Sequence, residues 1–168
     1  ASLLTGAPRL RLDAAGGALA GHAVTRVGSG GIEILDAAGE APLSLFAAGP
    51  MLQGRLRFEG VALRFARGRC QTAEGRLAAE TQPTVLGGMG GAVLGGQPAC
   101  SGGALMLPLQ GRAGDAELSV GLTLQPDGRY DVRTRVATAA PELGASLRLA
   151  GFSGDEGGQA RMDRGRLW

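Results

Sequence analysis

The residues that could do chemistry in this chain are few, and three of them stand out by type. Cys70 and Cys100 are the only cysteines, and His22 is the only histidine. These three side chains cannot complete a four-ligand zinc site without carboxylates, and no C-x-x-C spacing is present. The cysteines are therefore either joined in a disulfide or present as two reduced, buried thiols.

A disulfide between Cys70 and Cys100 would close a loop of about 30 residues. In the loop-closure model this removes roughly 3–4 kcal/mol of conformational entropy from the unfolded chain. Because the chain is rich in glycine and poor in aromatic residues, a contribution of that size is a large share of a marginal stability. This comparison favours the disulfide, which in turn predicts the periplasm or the outside of the cell.

Residues for enzyme chemistry are scarce. No Gly-x-Ser-x-Gly elbow accompanies His22, and the chain has no lysine to act as a nucleophile or to form a Schiff base. Asp155 and Glu156 could act as a carboxylate pair, but they are adjacent in a glycine-rich segment, where a solvated turn is the simpler interpretation. We therefore expect no catalytic residues, no cofactor and no metal, and we expect that the protein is not an enzyme.

A local basic cluster raises the possibility of an anionic partner. It consists of six arginines, namely Arg55, Arg57, Arg64, Arg67, Arg69 and Arg76. Nucleic-acid binding would call for exposed aromatic residues between them, whereas Phe58 and Phe65 fall on the apolar phases of the pattern. The solvent-facing side of an antiparallel sheet, partly balanced by Glu59 and Glu74, is the simpler interpretation. We expect no nucleic-acid partner, and contacts to a lipid surface or an acidic protein stay open.

Composition places the chain just inside the folded range. Of 168 residues, 31 are glycine and 8 are proline, which together make about 23%, close to the roughly 25–30% typical of low-complexity disorder. Leu, Ile, Val and Phe also make up about 23%, slightly more than the roughly 20% below which chains fail to fold. This length predicts one domain, residues 1–168.

Period-two alternation is the strongest structural signal. Residues 117–125 are apolar at every even position, Pro126-Asp127-Gly128 is a turn sequence, and residues 129–136 return with alternating polarity, which predicts a hairpin. The apolar phase of residues 56–65 reverses at Gly60, where a β-bulge would keep the same face toward the core.

Other segments are shorter or less clear. Leu105, Leu107 and Leu109 alternate around Pro108, which indicates an edge or a bulge, and the alternation in residues 145–149 predicts another strand. Residues 41–51 and 84–96 depart from the pattern and are interpreted either as short helices or as an extended connection and a glycine loop. Shorter cases of the same alternation are the pairs Leu10 and Leu12, Ile32 and Ile34, and Leu77 and Ala79. We count about eight to ten short strands.

These patterns predict a mainly β fold, a curved and strongly twisted antiparallel sheet with one or two short helices. Glycines and bulges on a sheet that is apolar on one side favour a half-pipe or open barrel. The concave side must be filled by the protein's own side chains, by a short helix or by a ligand. The open edge strands would be available for an added strand from a partner.

Several segments together resemble protein N of the bacterial type II secretion system, the GspN family. The likeness is a pattern of glycines and alternating aliphatic residues in GRLRFEGVAL (54–63), GRCQTAEGRL (68–77), ACSGGAL (99–105), GRYDV (128–132), LRLAGF (147–152) and GRLW (165–168). Upstream, GALAGHA (17–23) is similar to an early G-x-L-x-G strand of that family. The resemblance covers most of the chain.

The resemblance implies a periplasmic β domain of an accessory, non-enzymatic secretion component. In the full-length protein it implies an N-terminal helix in the inner membrane, which we expect to be absent from this chain. It implies other type II secretion components as partners and a structural role for the pair Cys70 and Cys100. A second hypothesis, which rests on the shape of the sheet, is an envelope protein that binds lipid or another apolar ligand.

Overall fold

The structure is a computed structural model that describes residues 8–16, 19–43, 53–82, 91–155 and 158–166. These residues form one twelve-stranded antiparallel sheet, not closed into a barrel, and one short helix. The mainly β fold is therefore confirmed. Along the chain the elements are β1 (Arg9–Ala14), β2 (Ala20–Gly28), β3 (Gly31–Pro42), β4 (Gly54–Ala66), β5 (Arg69–Thr81), β6 (Val93–Gly96), β7 (Ala99–Ser101), β8 (Ala104–Ala113), β9 (Ala116–Leu124), β10 (Arg129–Ala137), α1 (Pro141–Leu149), β11 (Ser153–Asp155) and β12 (Gly158–Arg166).

Neighbouring strands in the sheet are mostly neighbours in the chain. The order runs from β1 to β6 without a crossover, continues with β8, β9 and β10, and ends with β12 and then β11 at the far edge. β7 lies off this path and pairs with β8. The predicted hairpin is confirmed, because β9 and β10 pair from Leu124 opposite Tyr130 to Glu117 opposite Ala137.

Strands β6 and β7 are two halves of one interrupted strand. Both pair with β8 in a single register, which runs from Val93 opposite Arg112 to Ser101 opposite Ala104. The interruption contains Pro98, and β8 carries Pro108 nearby, so neither proline can donate a backbone hydrogen bond there. The prediction that Pro108 marks an edge or a bulge was wrong, since β8 is an interior strand beside an interruption in its neighbour.

The predicted bulge at Gly60 is confirmed. Opposite β5, the register of β4 shifts between Glu59, which faces Arg76, and Ala62, which faces Glu74. Gly60 has a φ of +57°, a left-handed conformation that is accessible to glycine at little cost. The extra residue reverses the phase of the strand, so that Leu56 before it and Val61 after it are both buried in the core.

Helix α1 replaces the strand predicted over residues 145–149. Pro141 fits the first turn, Leu143 and Leu147 are buried one turn apart, and Leu149 is 93% exposed. The helix ends in a Schellman motif, in which the Gly151 and Phe152 amides donate to the Arg148 and Leu147 carbonyls, both at 3.0 Å. The alternation was misleading because Leu147 belongs to a period of four rather than two.

Three further segments interpreted from the sequence lie only partly within the described residues. Residues 93–96 form strand β6, so both the helix and the glycine loop predicted there were wrong, whereas residues 83–90 lie outside the described part. Of the segment 41–51, the first two residues belong to β3, which extends to Pro42. Residues 44–52 lie outside the described part. The glycine-rich segment predicted as a solvated turn is described only at its ends, where Gly154 and Asp155 of β11 pair with Gln159 and Gly158 of β12, and residues 156–157 lie outside the described part. The strands outnumber the eight to ten expected, because the short pieces β6, β7 and β11 carry little periodicity of their own.

Among the described residues, no helix has the length and apolar character needed to cross a membrane.

Replacing Gly60 tests whether the bulge depends on its left-handed backbone. We expect Gly60→Ala to lower the free energy of unfolding by about 1–2 kcal/mol, because a Cβ is disfavoured at this φ. Gly121→Ala is the matched control, since Gly121 lies in β9 with open space around its Cβ position and without the positive φ. Urea denaturation measures the free energy of unfolding of both variants. Equal stability of Gly60→Ala and Gly121→Ala would contradict the dependence of the bulge on a left-handed Gly60.

Candidate interaction surface

The two cysteine sulfurs are bonded in the structure, with Cα atoms 5.5 Å apart, within the usual range of about 4.4–6.8 Å. Cys70 lies near the start of β5, where its amide donates to the Gly103 carbonyl at 2.8 Å, and Cys100 lies in β7. β5 pairs with β6 only from Leu77 to Glu80. The disulfide therefore joins β5 to β7 beyond the end of that ladder.

The sequence-predicted candidates for chemistry do not converge in the described part of the chain. His22 lies on the solvent face of β2, where its Nε2 is 3.8 Å from the Oδ2 of Asp36. Within the described ranges, no three His, Cys, Asp or Glu side chains are placed to hold a metal ion. Asp155 ends β11, but its side chain and the whole of Glu156 lie outside the described part.

Three arginines of the basic cluster, Arg55, Arg57 and Arg64, lie on the solvent face and are paired with acids of β3. Glu40 accepts hydrogen bonds from Arg57 at 2.8 Å and Arg55 at 3.3 Å, and Glu33 lies 3.2 Å from Arg26 and 3.4 Å from Arg64. These pairs follow the strand register, in which Arg26, Glu33 and Arg64 are directly opposite one another on β2, β3 and β4.

These ion pairs bear on the sequence-based interpretation of the cluster. The interpretation as a solvent face agrees with the structure: Glu33 and Glu40 make the ion pairs with Arg55, Arg57 and Arg64. The predicted balance by Glu59 agrees with its position directly opposite Arg76. Hydrogen bonds from the Arg57 guanidinium, and its positive charge, hold the pKa of Glu40 below its ordinary value. The same carboxylate raises the pKa of Arg57.

On the opposite, apolar face, part of the sheet is uncovered. Leu10 and Leu12 of β1 are 52% and 57% exposed, and Val27 of β2 and Ile32 of β3 are 44% and 50% exposed. We call these four side chains the open apolar strip. Val27 is directly opposite Ile32, and Leu10 and Leu12 are opposite Thr25 and Ala23, so all four lie on one face.

The open apolar strip continues the buried core. Ile32 is opposite Phe65, and Phe65 is opposite the buried Cys70, so a single cross-strand row leads from exposed to buried side chains. At the other end of the sheet, α1 lies against β12, and its Leu143 and Leu147 join the core cluster that also includes Val132 and Val136 of β10. Among the described elements, the helix therefore lies at the β12 end of the apolar face, and no helix lies over the β1 end.

Three of the four residues of the strip were assigned to strands from the sequence, whereas Val27 and the exposure of all four were not predicted. The alternation assigned Leu10, Leu12 and Ile32 to apolar faces of strands, which is correct. Whether another layer covers them depends on the position of α1, whose segment was predicted as a strand. In the described part of the chain, the helix follows β10, which lies far from β1 in the strand order. Because the helical segment was predicted as a strand, the sequence pattern gave no signal of which strands would be left uncovered.

Reduction tests the contribution of the disulfide. We expect reductant to lower the free energy of unfolding by about 3–4 kcal/mol, because the reduced unfolded chain regains the entropy of a closed loop with a sequence separation of 30. The double variant Cys70→Ala/Cys100→Ala should be less stable and should not respond to reductant. Thiol titration of the unfolded, non-reduced protein should find no free thiol. Two titrated thiols, or an unchanged melting temperature on reduction, would contradict the disulfide.

The Glu40 ion pairs should make part of the stability depend on pH. Because the folded pKa is depressed, their stabilisation is complete above the unfolded value of about 4.3 and is lost as the pH falls through the folded pKa. Glu40→Gln should therefore destabilise at pH 7 and become indistinguishable from wild type at low pH. Glu74→Gln is the control, since Glu74 is exposed and makes no ion pair within the described residues. A Glu40→Gln deficit that persists at low pH would contradict this account.

The chain was compared with protein families, with curated proteins and with solved structures. The model of the family described as type II secretion system (T2SS), protein N, matches residues 1–162. No curated protein and no solved structure gives a significant match. Because the match extends over nearly all of the 168 residues, the chain belongs to the protein N family of the type II secretion system.

Proposed function

We propose that this protein is a non-enzymatic accessory component of the type II secretion system that acts by protein–protein contact in the periplasm. The observation that carries the proposal is the open apolar strip. Single exposed apolar side chains are common, but a contiguous group on a face that is otherwise covered is typical of an interaction site. Four neighbouring side chains, each roughly half exposed, form such a group.

Location and anchoring belong to the same proposal. A disulfide in a secretion component supports an oxidising compartment of the cell envelope, and the periplasm is the compartment in which contacts with other secretion components would form. We propose further that residues 1–168 are a single periplasmic domain and that the full-length protein is tethered to the inner membrane. The expected partners are other proteins of the secretion apparatus.

The alternative function, binding of a lipid or other apolar ligand, would use the same strip. Small-ligand sites usually bury about 70–90% of the ligand in a cleft, whereas Leu10 and Leu12 lie on a strand with no neighbour on its outer side among the described residues. The clefts beside Glu40 and beside Arg112 are lined largely by polar and charged residues. These observations favour contact with a protein.

An acidic substitution in the strip tests this function. We expect Ile32→Asp to abolish co-purification of type II secretion components from envelope extracts and to reduce secretion, because the carboxylate would be desolvated in the interface. Leu149→Asp is the matched control, since Leu149 is more exposed but lies on α1, away from the strip. Partners are identified by mass spectrometry, and circular dichroism checks that both variants fold.

Two outcomes would contradict the proposal. If no secretion component co-purifies with the wild-type protein, or if Ile32→Asp and Leu149→Asp retain the same partners, contact through the strip is wrong. If native and delipidated samples differ in mass, and Ile32→Asp loses uptake of a fluorescent fatty acid, the ligand-binding alternative replaces it.

A further inference from the structure

The two edges of the sheet differ in how well they are protected against pairing with a strand of another molecule. At one edge, β11 has only three residues, and a short edge strand is one of the ways in which proteins prevent unwanted strand pairing. At the other edge, β1 has six residues that pair with β2 in an unbroken register, from Arg9 opposite Arg26 to Ala14 opposite Gly21. β1 contains no proline, no lysine and no bulge.

The outer side of β1 offers backbone groups for another strand. In an antiparallel ladder, alternate residues direct their N–H and C=O groups to the same side, so about three of the six residues of β1 face outward. Among the described residues, no strand pairs with that side. An added segment could therefore run for about 20 Å along the edge.

Side chains on β1 specify which segment would fit. Leu10 and Leu12 point to the apolar face, so a partner strand needs apolar residues at alternate positions to extend that face. Arg9, Arg11 and Asp13 point to the solvent face, and there Arg11 is already paired with Asp13 at 3.1 Å. Among the charged residues of β1, Arg9 is thus the one that lacks an opposite charge within the described residues.

The charge of Arg9 is unbalanced within the described sheet. It lies directly opposite Arg26, and like charges in that position repel. Arg26 is paired with Glu33, which also contacts Arg64, while Arg9 has no ion-pair partner in the described ranges. An acidic residue on an added strand, opposite Arg9, would complete the row of charges across the solvent face.

A second copy of this chain fits the edge less well. In the antiparallel pairing that matches Leu10 with Leu12 and Arg9 with Asp13, Arg11 would lie opposite Arg11 of the other copy, which is unfavourable. Such pairing would also extend the sheet sideways and leave Val27 and Ile32 uncovered. A different protein, unlike a second copy, can add a strand to β1 and at the same time cover the open apolar strip.

We propose that β1 binds an extended segment of a partner protein as an additional strand, and that this segment alternates apolar residues with acidic ones. The inference deepens the proposed function and rests on it, since it specifies how the contact at the open apolar strip is made. Backbone hydrogen bonds provide the pairing, Leu10 and Leu12 select apolar side chains, and Arg9 selects a carboxylate.

Labelled peptides provide the test with the 168-residue chain. The probe is a ten-residue peptide that alternates valine and glutamate, and fluorescence anisotropy measures its binding. A peptide of the same composition with five valines followed by five glutamates should bind at least about 10-fold more weakly, because it cannot present both faces of a strand. Arg9→Glu should weaken binding of the alternating valine–glutamate peptide roughly 3- to 10-fold and should strengthen binding of an alternating valine–lysine peptide.

Arg166→Glu is the matched control, because Arg166 also lies opposite an arginine, Arg129, but on β12. It should leave the binding of all three peptides unchanged. Equal binding of the alternating and block peptides, no binding of either, or the same response to Arg9→Glu and Arg166→Glu would overturn the proposal. Spontaneous disulfide dimers of Arg11→Cys that exclude the peptide would overturn it in favour of a second copy.

These results are separable from those for the proposed function. If secretion components co-purify through the strip while the peptides fail to bind β1, the strand-addition proposal is wrong and the function stands. If the peptides bind but no secretion component co-purifies, the edge is a strand-binding site and the proposed function is wrong.

Discussion

One requirement governs the whole described structure, which is that successive strands of a single long sheet keep their apolar side chains on the same face. Each strand alternates, so a shift of one residue in register would turn its apolar side chains toward solvent. The bulge at Gly60 shows how the requirement is met, because the extra residue returns Val61 to the face already occupied by Leu56. The ion pairs of Glu33 and Glu40 on the other face depend on the same register.

The fold was predictable to the extent that it depends on alternation and turns. The β9–β10 hairpin and the bulge at Gly60 follow from neighbouring residues, and the structure confirms both. Helix α1 was missed, because Ala145, Leu147 and Leu149 also satisfy a period of two. The local signals that favour the helix are Pro141 at its start, Gly151 just after its end, and the spacing of four between Leu143 and Leu147.

The candidate site was less predictable, since its defining property is exposure. Leu10 and Leu12 have the same spacing as Leu107 and Leu109, and nothing local distinguishes an uncovered strand from an interior one. Exposure is set by strand order and by the position of α1, both of which are properties of the whole sheet. The disulfide was favoured from the sequence because the chain has only two cysteines. Their Cα separation of 5.5 Å fits that pairing.

The two ends of the described sheet differ, and this difference is the physical basis of the contact hypothesis. At the α1 end, side chains from helix and sheet fill the apolar face, and the three-residue β11 limits further pairing. At the β1 end, exposed apolar side chains and Arg9 lie beside a backbone edge, and among the described residues neither Arg9 nor that edge has a partner. Exposed apolar side chains and facing like charges each cost stability in the isolated protein, and an unpaired edge adds a risk of aggregation. A partner strand would remove the first two costs, which would add to its binding free energy, and would pair the edge.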